Sequence, residues 1–151
     1  MAIFFNTRLD SYEGFRTTSE HAVELDGTHW RSVEHYVQAQ RFKCETTREE
    51  IRTADYAFEA KSLARTRPDA LRHDWEDVRD EIMEIANRAK FSKHKQLAEK
   101  LKETEDEELI EASPMSRYWG AGADGLGRNR LGEILMKIRD ELREPLPSLG
   151  G

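Results

Sequence analysis

The stretch DWEDVRDEIMEIANRAKF, Asp74 to Phe91, decides what kind of fold this chain adopts. Trp75, Val78, Ile82, Ala86 and Ala89 recur there at spacings of three and four, the period of one face of an α-helix beginning at Asp74. The same period returns downstream. Leu97 and Leu101 mark a shorter amphipathic piece ending near Thr104, and Leu131, Ile134, Leu135, Ile138 and Leu142 make one stripe of a last helix. Upstream, Ser32 is placed to cap a helix from Val33 to about Phe42. Thr47 and Glu50 have capping-box spacing for a short helix through Ile51, and Asp55 is placed to cap another through Ala60 and Leu63.

Strand signals are few and lie mostly before these helices. Ile3–Phe5 and the run around Ala22–Leu25 read as short strands, and Asp26-Gly27 between AVEL and THW is a hairpin turn signal. Leu109–Ala112 reads as strand or extended chain. The expected fold is therefore mainly α, in the α+β class: a compact multihelical single domain with a small β element near the N-terminus. Residues 1–143 form that domain, and EPLPSLGG at 144–151, with two prolines and two glycines, reads as a flexible tail.

A chain of 151 residues can bury a sizeable core without staples. Cys44 is the only cysteine, which excludes an internal disulfide and any multi-thiolate zinc site. No apolar run approaches the ~18 residues that span a bilayer, and MAIFF lacks the basic start of a signal peptide. A cytoplasmic protein without a membrane partner is expected. The net charge of −6 argues against wholesale nucleic-acid binding, which needs a phosphate-neutralising surface, but leaves room for a local basic pocket. His21, His29, His35, His73 and His94 fall into no metal-ligand spacing, so neither a metal nor a cofactor is expected.

Three constellations carry chemistry. In EHYVQAQRF, Glu34, Gln38 and Arg41 sit at i, i+4 and i+7, so one helix face holds a carboxylate, an amide and a guanidinium. Val33, Tyr36 and Val37 then face the core; the plain alternative is a solvated face with an intrahelical Glu–Arg network. In WGAGADGLGRN, four glycines within eight positions precede an amphipathic helix. Such a loop can approach a ligand and aim backbone N–H groups at an anion. Gly120, Gly122 and Gly125 match G-x-G-x-x-G literally, yet no strand immediately precedes them and no second strand with a ribose-binding acid follows, which removes a dinucleotide fold. A ligand-free helix-entry turn is the alternative, and Trp119 beside the glycines offers a stacking platform. Lys90, closing the long helix, either complements the helix dipole or acts on a ligand as a phosphate binder or amine nucleophile.

Taken together these blocks resemble the YbiA-like family, also called NADAR. The resemblance runs in order through Leu25–Phe42, Phe58–Arg65, Trp75–Phe91, Glu108–Ser113 and Trp119–Arg139. The pairing of E-H-Y-x-Q-A with W-G-x-G-x-D-G-x-G-x-N-x-L-G makes it specific. It implies an N-glycosidase that cleaves a C1′–N bond between a base-like amine and a phosphorylated ribose. Two substrate settings go with it: riboflavin-biosynthesis intermediates, and ADP-ribose on guanine bases in DNA. A non-catalytic ADP-ribose or nucleotide-binding module is the alternative. Carried over, Glu34 is the catalytic carboxylate, with Lys90 as the matched lysine for a Schiff-base route and Lys61 behind it. His35, Gln38, Arg41, Trp119, Gly120, Gly122, Gly125 and Asn129 are expected to hold substrate. Three positions depart from the family pattern: Arg16-Thr17-Thr18 replaces the rest of F-S-N-F, Arg41 replaces a lysine, and Ser116 replaces an aspartate.

Overall fold

A computed structural model describes residues 1–7 and 11–144 of the chain. Apart from Glu144, the segment expected to form a flexible tail lies outside the described residues. The chain divides into two units, one spanning Ser11–His94 and the other joining residues 1–7 to 95–144.

The first strand, β1 (Ala2–Phe5), lies outside the unit Ser11–His94, whose strands are the hairpin β2 (Val23–Leu25) and β3 (Thr28–Trp30). Asp26 and Gly27 both take positive φ, 54° and 76°, the two-residue turn that an Asp-Gly pair favours. Four helices follow: α1 (Val33–Gln40), α2 (Glu45–Arg52), α3 (Ala57–Arg65) and α4 (Trp75–Lys93). α1 packs against α2, α3 and α4, and Val33, Tyr36, Val37 and Ala39 are buried around it. Placing α1 at the centre is what makes its polar residues informative.

Several expected boundaries move. α1 stops at Gln40 rather than Phe42, because Phe42 pairs with Leu71 and the Arg72 N–H donates to the Arg41 carbonyl. Cys44, not Thr47, is the N-cap of α2; Thr47 lies inside the helix and is buried. Tyr56 rather than Asp55 precedes α3, and Glu59 reaches back to accept from the Asp55 N–H. The long helix begins where expected, but its buried face is Met83, Ala86, Asn87, Lys90 and Phe91, while Val78, Ile82 and Ala89 are only half-buried. Lys90 tolerates burial by donating to the Arg16 carbonyl at 2.7 Å, whereas Asn87 donates its Nδ2 to the Met83 carbonyl at 2.9 Å and keeps a buried Oδ1 with no hydrogen-bond partner among the described residues.

In the second unit, β1 (Ala2–Phe5) pairs in parallel with β4 (Glu108–Glu111), from Ala2 opposite Glu108 to Phe5 opposite Glu111. α5 (Lys95–Lys102) and β4 both pack on α6 (Arg130–Arg143). Leu131, Ile134, Leu135 and Ile138 are buried, as their stripe predicts, and Leu142 is half-buried. Arg139 on α6 is also buried, donating to the Thr104 hydroxyl at 2.9 Å and the Glu107 carbonyl at 2.8 Å. The mainly helical α+β class stands, with two small two-stranded sheets where one β element was expected. Among the described residues no helix is long and apolar enough to cross a membrane.

Candidate active site

The start of α1 is built around Ser32. Its hydroxyl accepts from the His35 N–H at 3.1 Å and also meets His35 Nδ1 at 2.7 Å. His35 Nε2 lies 3.0 Å from the Ala54 carbonyl, so both ring nitrogens are engaged by the protein itself. Burial, opposed by that carbonyl, pulls the His35 pKa below its ordinary value. His35 therefore ties the helix start to the end of α2. Sequence reasoning placed it in contact with substrate; in the structure its ring nitrogens have the protein partners Ser32 and Ala54.

Glu34 sits beside this brace and is only 6% exposed, so a solvated face is excluded for it. The Thr17 hydroxyl donates to its Oε2 at 2.5 Å, and Gln38 Nε2 donates to Oε1 at 2.8 Å. The Glu34 N–H in turn donates to the Thr17 carbonyl at 2.9 Å. Arg41 Nη1 completes the row by donating to Gln38 Oε1 at 2.9 Å, with its guanidinium 5.8 Å from the Trp75 ring centre. Burial lowers the Arg41 pKa, and Glu34 works against that shift. The i, i+4, i+7 spacing thus becomes a chain of hydrogen bonds leading to one buried carboxylate.

Lys90 enters from α4. It is fully buried, donates to the Arg16 carbonyl at 2.7 Å and lies 5.7 Å from the Phe91 ring centre. With no carboxylate to offset desolvation, its amine is pulled down to about 7. The peptide joining Arg16 to Thr17 consequently links the two candidate catalytic residues: Lys90 holds the carbonyl on one side and Glu34 holds the hydroxyl on the other. Thr17 was not among the sequence candidates. The only signal of it in the chain was the departure from F-S-N-F.

The glycine loop of the other unit has a geometry different from the expected anion cradle. The Gly127 N–H donates to the Ala121 carbonyl, and those of Arg128, Asn129, Arg130 and Leu131 donate to the carbonyls of Arg117, Gly120, Tyr118 and Trp119. The first amides of α6 are thereby satisfied by the loop's own backbone, where a bound anion was anticipated. Asn129 takes φ 51° and uses its side chain on β4, accepting from the Glu111 N–H and donating to the Leu109 carbonyl, both at 2.9 Å. Gly120 is required sterically, since a Cβ there would lie 2.3 Å from the Glu111 carboxylate. Gly122 and Gly125 supply positive φ, 71° and 76°. Trp119 is half-buried with its ring edge-to-face against Tyr118, the centres 4.8 Å apart. No group of three or more His, Cys, Asp or Glu able to hold a metal occurs among the described residues.

Both halves of the paired signature are thus present as built structure, and the family model for the NADAR domain matches residues 3–143. The chain belongs to the NADAR family. It is 39% identical over 140 residues to N-glycosidase YbiA of Escherichia coli, covering 93% of this chain and 88% of that protein. The NMR structure of the E. coli protein YbiA superposes with a TM-score of 0.84 at 35% identity, covering 98% of this chain and 93% of that one. A riboflavin biosynthesis protein of Vibrio vulnificus is 44% identical over 126 residues, covering 83% of this chain but only 34% of that longer protein.

One further NADAR-domain residue escaped the sequence reading. Glu111, 4% exposed, accepts from Asn6 Nδ2 at 2.7 Å and from the Ser113 N–H at 2.8 Å. It lies beneath Gly120 and joins the β1–β4 end to the glycine loop. It falls in the ELIEAS block, where alternation at a strand end gave no hint of a buried carboxylate.

Proposed function

We propose that this NADAR protein hydrolyses the C1′–N bond between an amine-bearing base and a phosphorylated ribose, with Glu34 as the working carboxylate. The observation that carries this is the placement of Glu34, buried at the start of α1 and held through Thr17 and Gln38. As the C1′–N bond breaks, the bonding pair leaves with nitrogen and positive charge builds on the sugar. A fixed carboxylate stabilises that charge and accepts a proton from the attacking water; the departing amine takes up a proton in exchange. Hydrolysis of N-glycosyl bonds is the class of activity that the E. coli relative's name carries. The finer choice, an early intermediate of riboflavin synthesis ahead of ADP-ribosylated guanine in DNA, is supported by the Vibrio relative's name and by the net charge of −6.

Gln38 and Arg41 are proposed to orient ribose hydroxyls or phosphate. Asn129 and the glycines are better suited to shaping the loop than to touching ligand. The test is turnover of riboflavin-pathway ribosylamine phosphates and of ADP-ribosylated guanine DNA by wild type and Glu34→Gln. A loss of at least about 100-fold in kcat with unchanged thermal midpoint is expected. Undiminished release of ribose phosphate by Glu34→Gln would overturn the assignment of Glu34. ADP-ribose binding without turnover of any candidate would make the protein a binding module.

A second reading, attack of the Lys90 amine on C1′ of the opened sugar, is favoured by the descent of its pKa to about 7. Borohydride reduction with substrate present tests it: a stable ribose-phosphate adduct on Lys90 supports the covalent route, and none with turnover intact supports direct water attack.

A further inference from the structure

Within the unit Ser11–His94 the turn Arg16–Ser19 joins the end of α4 to the start of α1. It closes where the Ser19 N–H donates to the Arg16 carbonyl at 3.3 Å, leaving Thr17 at its corner. Thr17 grips Glu34 twice, its hydroxyl donating to the carboxylate and its carbonyl accepting from the Glu34 N–H. Two titratable side chains hold the ends of the same turn. Lys90 donates to the Arg16 carbonyl at 2.7 Å, and His21 Nδ1 meets the Ser19 hydroxyl at 2.9 Å. Ser19 is only 4% exposed, so its hydroxyl depends on His21 and on the Gly14 carbonyl, 3.4 Å away.

The His21 ring packs edge-to-face on that of His94, the C-cap of α4, with centres 4.9 Å apart, and His94 Nε2 lies 2.7 Å from the Ala22 carbonyl. Three groups able to carry a proton, His21, His94 and Lys90, thus crowd one end of α4 and hold the segment that carries Thr17. Burial lowers the His21 pKa from its ordinary 6.5, Lys90 and His94 add to that, and Glu13 on the helical turn Glu13–Phe15 works against it. Lys90 is already protonated below about 7, so a proton on His21 places a second cation beside the first. Beyond the turn, Glu34 faces Thr17, Gln38, Arg41 and His35. Folding makes His21 harder to protonate, so the support it gives weakens as pH falls below 6.5.

We propose that His21 is a positioning residue for Glu34: neutral, it pins the Arg16–Ser19 turn through Ser19, and once protonated it swings clear of Lys90 and His94 and lets Thr17 slip from the carboxylate. The proposal rests on the Glu34 assignment only for its consequence, a loss of hydrolysis in acid. The latch itself stands on the contacts of the turn.

Amide hydrogen exchange of the full chain, followed by NMR from about pH 5 to about pH 8, tests it. The Glu34 N–H is the reporter, because it is bound to the Thr17 carbonyl. Its protection factor is expected to fall by about threefold to tenfold, the scale of one hydrogen bond, as the His21 ring titrates in the same samples. His21→Asn, whose side-chain amide reaches Ser19 but does not titrate, should keep that protection flat. His21→Ala should lower it at every pH. Glu13→Gln, an exposed change that removes a carboxylate favouring the charged ring, should move the fall to lower pH without touching the turn. The kcat for riboflavin-pathway ribosylamine phosphates should show an acid limb in wild type that His21→Asn lacks, with KM unmoved. Wild-type protection that stays flat while His21 titrates, a His21→Asn profile that falls like wild type, or no shift in Glu13→Gln overturns the proposal. If protection behaves as expected while Glu34→Gln hydrolyses undiminished, the Glu34 assignment falls and the latch stands. Flat protection with hydrolysis lost in Glu34→Gln does the reverse.

Discussion

Lys90 is the residue whose environment departs furthest from what its type prefers. Its ordinary pKa of 10.5 falls to about 7 on burial, so between those values the unfolded chain binds a proton that the folded chain does not. Stability therefore rises with pH across that window, while below about 7 both states are protonated and the full desolvation cost remains. Lys90→Met removes the charge and keeps much of the volume. It should be more stable than wild type at pH 6, and its advantage should shrink by about 1.4 kcal/mol per pH unit as pH rises from about 7 to about 10. Parallel denaturation profiles for the two proteins across that range would contradict it. The sequence showed Lys90 only as a basic residue in a last turn. What makes it unusual is the Arg16 carbonyl, 74 positions away, and no local pattern encodes that partner. Glu34 was more legible because Gln38 and Arg41, its companions, lie on the same helix. Thr17, which comes from another segment, was signalled only by the departure from F-S-N-F, and its bond to Glu34 was as hidden as the Arg16 carbonyl.

At the scale of elements, the helices were readable wherever an apolar period was long. α4 began where its periodicity put it, directly after Asp74, and the stripe read from Leu131 to Leu142 lies within α6. The short helices slipped because capping residues are common and the true starts, at Cys44 and Tyr56, carry no side-chain cap to be recognised. The glycine loop was recognised as tight, with a ligand cradle and a ligand-free turn both left open; the structure shows close approaches at two of its glycines, Gly120 against Glu111 and Gly127 against Gly120 and Ala121. A Cβ on Gly127 would lie 2.4 Å from the Gly120 carbonyl oxygen, a backbone atom that cannot swing aside. A Cβ on Gly125 meets nothing within 4 Å, so only its positive φ of 76° resists substitution. Gly125→Ala should therefore cost about 1 kcal/mol, and Gly127→Ala about 3 kcal/mol or more. Urea denaturation of the two variants checks the order; equal losses would mean the loop does not hold the close backbone contact.

For the whole molecule, composition and helix count led to the class, and the family pattern supplied what single residues could not. The pairing of β1 with β4 joins segments separated by about a hundred residues, and a single sequence contains no covariation to reveal it. Each strand was legible singly, as Ile3–Phe5 for β1 and as strand or extended chain at Leu109–Ala112 for β4, but their pairing was not. The same is true of Glu111, whose burial follows from that pairing and from Asn6. The substitution of Ser116 for the family's aspartate has a local account: its hydroxyl accepts from the Trp119 N–H at 3.1 Å and so fixes the entry to the glycine loop.

That loop has the composition of a flexible linker, yet five consecutive amides from Gly127 to Leu131 point back into it. In a deuterium-exchange experiment these amides should release their protons as slowly as the buried turns of α6, because exchange at any one of them needs helix and loop to open as a single unit. A glycine-dense stretch with such protection would behave as a clasp, one that sets the opening rate of the C-terminal helix rather than answering to it.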